Sequence, residues 1–184
     1  MYDFFPSQLF HISEDPTITQ FIPRPSPSFY DKIHGPVVFA ITDQLLHHYL
    51  LPRDCPRVCF YPGADSDPAD IEQYISSAGA GGQHAATPYV MALESKWLPL
   101  IRDTTIYCYE LPASTFTLLD ECAGYYVSYE PVVPVAVRPV NNLLAELLHR
   151  QVDVRFLPTL WPLAEKIRRS TLNFSLIRMR HAQR

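Results

Sequence analysis

The residues able to do chemistry in this chain stand where apolar runs break into polar turns. His11 closes the run Leu9-Phe10-His11-Ile12, just before Ser13-Glu14-Asp15-Pro16. Asp120 and Glu121 follow Leu118-Leu119, and Ser128 and Glu130 close the run Tyr125-Tyr126-Val127, with Tyr129 between them. An imidazole can hold or give a proton near neutrality, and a carboxylate steadies positive charge that develops in a dry cleft. A histidine and three carboxylates at strand ends therefore outline a charge-stabilising or acid–base site. Each has a structural alternative: His11 as a satisfied core histidine, Asp120-Glu121 as caps of a connection. Neighbours in an extended chain face opposite ways, so at most one of Asp120 and Glu121 enters a given pocket. A Gly-x-Ser-x-Gly elbow is absent, and no serine–histidine–aspartate order is legible.

These residues need short strands to carry them. Residues 9–12 read as a strand that ends in a turn, because Ser13 and Asp15 accept backbone N–H bonds and Pro16 fixes φ. Residues 23–35 form a proline- and serine-rich loop, and the continuous apolar run 37–41 is a buried strand. A helix over 44–51 follows, capped by Thr42 or Asp43 and stopped by Pro52. The turn Arg53-Asp54-Cys55-Pro56 leads into a strand over 57–61. It either orders a salt-bridge network or presents arginines to an anion. Asp67 is an N-cap with Pro68 at the first helical position of a short helix.

Residues 78–86 hold glycines without phosphate-loop spacing and read as a lid-like loop. A strand is expected over 88–92, a helix over 93–102, a strand over 104–111 and a helical turn over 112–119. Strands follow at 125–128 and 132–137. Asn141 or Asn142 caps a helix, Leu-Leu-Ala-Glu-Leu-Leu-His-Arg, followed by a strand over 152–157, a helix over 161–170 and a strand over 174–178. Many short strands with irregularly placed helices indicate an α+β fold: mixed or antiparallel sheet with peripheral helices, and not a doubly wound parallel sheet.

With 184 residues, 47% hydrophobic and 18% charged, the chain is read as one domain over 1–184 with a proper core. No apolar run reaches the ~18 to 20 residues of a membrane span. The start Met-Tyr-Asp-Phe-Phe-Pro has no basic n-region, so a cytoplasmic protein with no membrane partner is expected. The four cysteines form no Cys-x-x-Cys, so neither a metal site nor a disulfide is expected. From Arg150 onward eight basic residues face two acidic ones, against seven and seventeen before it. Aromatic interleaving is sparse there, so nucleic acid is not the expected partner and the basic end reads as a solvated face.

Leu-Phe-His-Ile-Ser-Glu-Asp-Pro, Val-Val-Phe-Ala-Ile, Tyr-Leu-Leu-Pro-Arg-Asp-Cys-Pro-Arg-Val, Leu-Asp-Glu-Cys-Ala-Gly-Tyr-Tyr-Val-Ser-Tyr-Glu-Pro-Val and Leu-Asn-Phe-Ser-Leu-Ile-Arg-Met-Arg together resemble an uncharacterised bacterial protein family of unknown function. The order of elements is also distantly similar to the rifampin ADP-ribosyltransferases. In that group a strand ends in Tyr-(Leu/Phe)-His-Gly-Thr, where this chain has Leu-Phe-His-Ile-Ser. That resemblance implies a split antiparallel sheet with a nicotinamide cleft and NAD as cofactor. His11 would hold the ribose, and Phe39 would take the place of the tyrosine that packs on nicotinamide. Asp120 would support the oxocarbenium-like transition state. The sequence departs from the group at Ile12-Ser13, which replace Gly-Thr, and at Phe39, which lacks a hydroxyl. The candidate catalytic residues are thus His11, Asp120 and Glu130, and the candidate cofactor residues His11, Phe39, Tyr126 and Ser128. The alternative is a small-molecule-binding or protein-interaction domain on the same scaffold.

Overall fold

The computed structural model describes residues 8–26, 29–75 and 88–184. The lid-like loop at 78–86 lies outside the described residues. In chain order the elements are β1 (Gln8–Ser13), β2 (Val38–Ile41), a 3-10 stretch Asp43–Tyr49, β3 (Arg57–Tyr61) and α1 (Pro68–Tyr74). Then come β4 (Val90–Glu94), α2 (Leu98–Asp103), β5 (Ile106–Pro112), β6 (Thr117–Asp120), β7 (Tyr125–Ser128) and β8 (Ala136–Val140). The chain finishes with α3 (Leu143–His149), β9 (Asp153–Leu157), α4 (Trp161–Arg169), β10 (Asn173–Ile177) and a 3-10 turn Met179–His181. The architecture is α+β, as the scattered short strands indicate.

The described residues divide into two compact units. The first takes the chain up to Tyr49 and then Thr105–Asn141. Its sheet has the order β6-β7-β2-β1-β5-β8, antiparallel at every pairing. Period-2 alternation splits its apolar residues between two faces. Leu9, Val38, Ala40, Tyr109, Leu111 and Tyr126 pack with Phe21, Phe116 and Val132 on one face. Val37, Leu119 and Val127 pack with Tyr30, Ile33, Phe39 and Tyr125 on the other. β8 is an edge strand, largely exposed, and Pro139 sits where no inner ladder needs its missing N–H.

The second unit takes Leu50–Thr104 and Asn142–Arg184. Its sheet has the order β10-β3-β4-β9, with only β4 and β9 parallel. β3 and β4 are central, so both their faces are covered and they read as unbroken apolar runs. Val58, Phe60, Val90 and Ala92 meet Leu160, Ala164 and Ile167 from the α4 region. The caps expected from sequence are in place. Asp67 accepts the Ala69 N–H at 2.8 Å, and Asn142 accepts the Ala145 N–H at 3.1 Å.

Several element boundaries differ from the sequence expectation. The helix expected over 44–51 is a 3-10 stretch, Asp43–Tyr49, whose buried side chains include the adjacent pair His47 and His48. Leu93 belongs to β4, not to a helix over 93–102, because β4 pairs on both sides and captures it. The helical turn at 112–119 shrinks to Ala113–Thr115, and Thr117–Asp120 pairs with β7 as a strand. The strand expected at 132–137 forms at Ala136–Val140, beside β5. In the last three cases strand pairing overrides local propensity.

Candidate functional site

β2 is the strand that organises the first unit's candidate residues. Val38 and Ala40 point to one face, and Phe39 and Ile41 to the other. β1 meets β2 at one register pair, Phe10 opposite Ile41. His11, next to Phe10, therefore stands on the face opposite Phe39. Past that pair the ladder stops, and the His11 imidazole takes over: its Nδ1–H donates to the Phe39 carbonyl at 2.9 Å. That bond places the proton of the neutral ring on Nδ1 and makes Nε2 the acceptor.

On its own face the His11 ring lies 4.7 Å from the Phe21 ring, which meets Tyr109 edge-on at 5.2 Å. The buried Tyr109 hydroxyl donates to the Asp15 carbonyl at 2.7 Å and accepts the Ile18 N–H at 3.2 Å. It thereby ties down the loop that brings Phe21 over His11. Tyr126 is buried on the same face, and burial, then the charge of Glu121, pushes its hydroxyl pKa up. Ser128 is wholly buried and occupied within the fold. Its Oγ donates to Thr115 Oγ1 at 2.9 Å and accepts the Glu130 N–H at 3.2 Å. Glu130 itself is exposed.

Phe39 and Asp120 share the other face. Phe39 sits between Tyr30, at 6.2 Å, and Tyr125, at 6.3 Å and edge-on. Tyr49 lies 6.1 Å from Tyr125, and their hydroxyls are hydrogen-bonded. All four rings are half-buried. Asp120, at the end of β6, is paired in register with Tyr125. Its Oδ1 accepts the Ala123 N–H at 3.0 Å. The Tyr30 hydroxyl is pushed above its ordinary pKa, first by burial and then by the Asp120 charge.

The loop that supplies Tyr30 is fastened at several points. The Tyr129 hydroxyl donates to the Lys32 carbonyl at 3.3 Å and accepts the His34 N–H at 3.2 Å. Lys32 Nζ donates to the Leu119 carbonyl at 3.4 Å. An open hollow of about 330 Å³, lined by Pro25, Phe29, Tyr30, Ile33 and Pro36, adjoins the cradle at Tyr30. The turn after Asp120 needs a glycine: Gly124 has φ +67°, and a Cβ there would lie 2.9 Å from Thr42 Oγ1.

The candidate residues thus fall into two groups. Phe39 and Asp120 come together, while His11, Tyr126 and Ser128 line the opposite face and Glu130 stands outside both. His11 reaches Phe39 through the backbone only. Tyr30 and Tyr49 were not legible as site residues. The one signal for Tyr30 was an aromatic pair, Phe29-Tyr30, in an otherwise proline- and serine-rich loop. In the second unit, burial pushes the thiols of Cys55 and Cys59 up to about 12, which makes them poor nucleophiles. Among the described residues no group of three or more His, Cys, Asp or Glu is gathered for a metal ion. No described helix is long and apolar enough to cross a membrane.

Comparison with known proteins finds a family of unknown function (DUF6886) that matches residues 10–182. No curated protein matches the chain, and no solved structure does.

Proposed function

We propose that this chain, which belongs to the family of unknown function DUF6886, binds NAD⁺ through its six-stranded unit, with the nicotinamide ring against the Phe39 cradle. One observation carries this reading: three half-buried rings, Tyr30, Phe39 and Tyr125, share a sheet face with the Asp120 carboxylate. Aromatic faces attract a cationic ring, and a nearby carboxylate adds to that attraction. Oxidised nicotinamide is planar and positively charged, so the cradle suits it better than it suits a neutral base.

The chemistry that follows is transfer of the ADP-ribosyl group. Bound NAD⁺ would supply a C1′–N bond whose electron pair would leave with neutral nicotinamide, in exchange for a bond from an acceptor's lone pair to C1′. Asp120 would face the positive charge developing at C1′. His11 acts from the opposite face as a positioning residue, holding the Phe39 carbonyl and with it the strand that presents the ring.

Thermal unfolding with NAD⁺ and NADH in parallel tests the reading. The two share phosphates and riboses and differ in ring charge. NAD⁺ at ten times its Kd is expected to stabilise the protein by about 1.4 kcal/mol, with NADH clearly weaker. Asp120→Asn keeps the acceptor for the Ala123 N–H and should remove the preference. Equal shifts, or none at millimolar NAD⁺ with folded protein, would overturn the proposal. Nicotinamide release in the same samples separates turnover from binding.

A further inference from the structure

The loop that supplies Tyr30 has a second side, which the nicotinamide reading leaves unused. Two backbone bonds close its neck: the Arg24 N–H donates to the Val37 carbonyl at 3.0 Å, and the Val37 N–H to the Arg24 carbonyl at 2.8 Å. The Ile33 N–H donates to the Tyr30 carbonyl at 3.0 Å and closes a turn over Tyr30-Asp31-Lys32-Ile33. With the Tyr129 hydroxyl on the Lys32 carbonyl and the His34 N–H, the turn is held in place without a ligand. Tyr30 faces Phe39 at 6.2 Å in the cradle, and it also forms a wall of the open hollow with Pro25, Phe29, Ile33 and Pro36.

Size and lining limit what this hollow accepts. Ligand sites run to about 300–1,000 Å³, so a hollow of about 330 Å³ holds one ring system and not a whole dinucleotide. Among the described residues no charged side chain lines it. Proline and aromatic side chains offer flat apolar faces, which suit a planar, neutral ring. Phe29 is 90% exposed, so its ring is at hand to stack on an occupant. The two sides of Tyr30 thus sort rings by charge: the cradle has the Asp120 carboxylate, and the hollow has no carboxylate. A cation stands beside them. Lys32 Nζ donates to the Leu119 carbonyl at 3.4 Å, and Leu119 precedes Asp120 and packs with Tyr30 and Phe39. Asp31 and Lys32 are both exposed on the turn, and that bond directs Lys32 to the Asp120 end of β6.

We propose that the hollow binds a neutral planar base, the adenine of the dinucleotide whose nicotinamide lies at Phe39, with Phe29 stacking on the base and Lys32 facing the pyrophosphate. The identity of the dinucleotide rests on the nicotinamide reading; the site for the base rests on the hollow. A dinucleotide joins a cationic ring to a neutral one through an anionic link, and cradle, hollow and Lys32 complement the three parts in charge.

The test takes the dinucleotide apart. The full chain is titrated with adenosine, with ADP-ribose and with nicotinamide riboside, each to millimolar concentration and followed by calorimetry. Adenosine and ADP-ribose are expected to saturate near one equivalent, ADP-ribose more tightly, and added salt should narrow the gap between them. Phe29→Ala should weaken both about tenfold, and Phe29→Trp should preserve them. Because Phe29 is so exposed, neither substitution disturbs the core. Lys32→Gln should weaken ADP-ribose severalfold and leave adenosine unchanged, and no variant here should alter nicotinamide riboside. Absence of saturation by adenosine and ADP-ribose, or wild-type affinity for both in Phe29→Ala, would overturn the site. If only nicotinamide riboside binds, the hollow loses its base while the cradle stands. If ADP-ribose binds through Phe29 and nicotinamide riboside does not bind, the cradle reading fails and the base site stands. Dimerisation that Phe29→Ala abolishes, with no adenosine binding, would also overturn the site, since the ring would then cover a second copy.

Discussion

The six-stranded unit spends polar side chains on holding loops over a sheet face: Tyr109 fastens the Asp15–Ile18 loop, and Tyr129 and Lys32 fasten the loop that carries Tyr30. The four-stranded unit uses polar side chains to fasten its later segments to earlier ones, with Asp70 holding Thr171 and Glu94 holding Gln183. The first unit therefore presents rings beside a carboxylate, and the second secures one part of its own chain to another.

The sharpest way to break this comparison is to cavitate each core in turn. Leu111→Ala in the first unit and Leu93→Ala in the second, both wholly buried, should each cost about 2–5 kcal/mol. Hydrogen exchange should show protection falling first in β1 and β5 for Leu111→Ala, and first in β3 and β4 for Leu93→Ala. An equal loss in both sheets from either substitution would show that the two are not separate units energetically.

A smaller effect sharpens the account of the fastened loops. Tyr109→Phe leaves the Asp15 carbonyl and the Ile18 N–H without that hydroxyl, at a cost of about 1–3 kcal/mol. The Ile18 amide should exchange faster than in the parent. An unchanged denaturation midpoint would show that the hydroxyl is not what holds the loop.

The smallest effects concern acid. Hydrogen bonds from the Thr17 hydroxyl and N–H hold Asp15 below its ordinary pKa of 3.8, and those from the Thr171 N–H and hydroxyl do the same for Asp70. A depressed carboxylate contributes stability above its unfolded pKa and loses it as pH falls through the lower folded value. Urea midpoints compared at about pH 5 and about pH 2 should therefore fall further for the parent than for Asp15→Asn or Asp70→Asn. Equal falls would remove both carboxylates from the acid response.

Much of the local structure was legible from residue types. Asp67-Pro68 marked the start of α1, and the pair Asn141-Asn142 the start of α3, where Asn142 is the cap, because capping is a bond within one turn. The runs at Arg57–Tyr61 and Tyr125–Ser128 were strands as read. The 3-10 form of Asp43–Tyr49 and strand β6 were not; for β6 the pairing with β7 decides the conformation. The candidate site was legible in part. Phe39 and Asp120 share a face, while Tyr30 was hidden in a loop whose path depends on the Tyr129 hydroxyl 97 residues away.

The amino-acid order determined by itself which side chains alternate along a strand, where the side-chain-capped helices α1 and α3 begin and which turns need proline or glycine. These are interactions over a few residues, where φ/ψ preference and nearby hydrogen bonds suffice. Only the tertiary structure decided that Phe10 pairs with Ile41, which sets His11 and Phe39 on opposite faces and joins them through a carbonyl. It also decided that Ile177 lies opposite Arg57, 120 positions earlier in the chain, because β10 pairs with β3. Register between strands is set by burial of whole faces and by ladders closed over long loops, so it is a property of the assembled sheet and of no single segment.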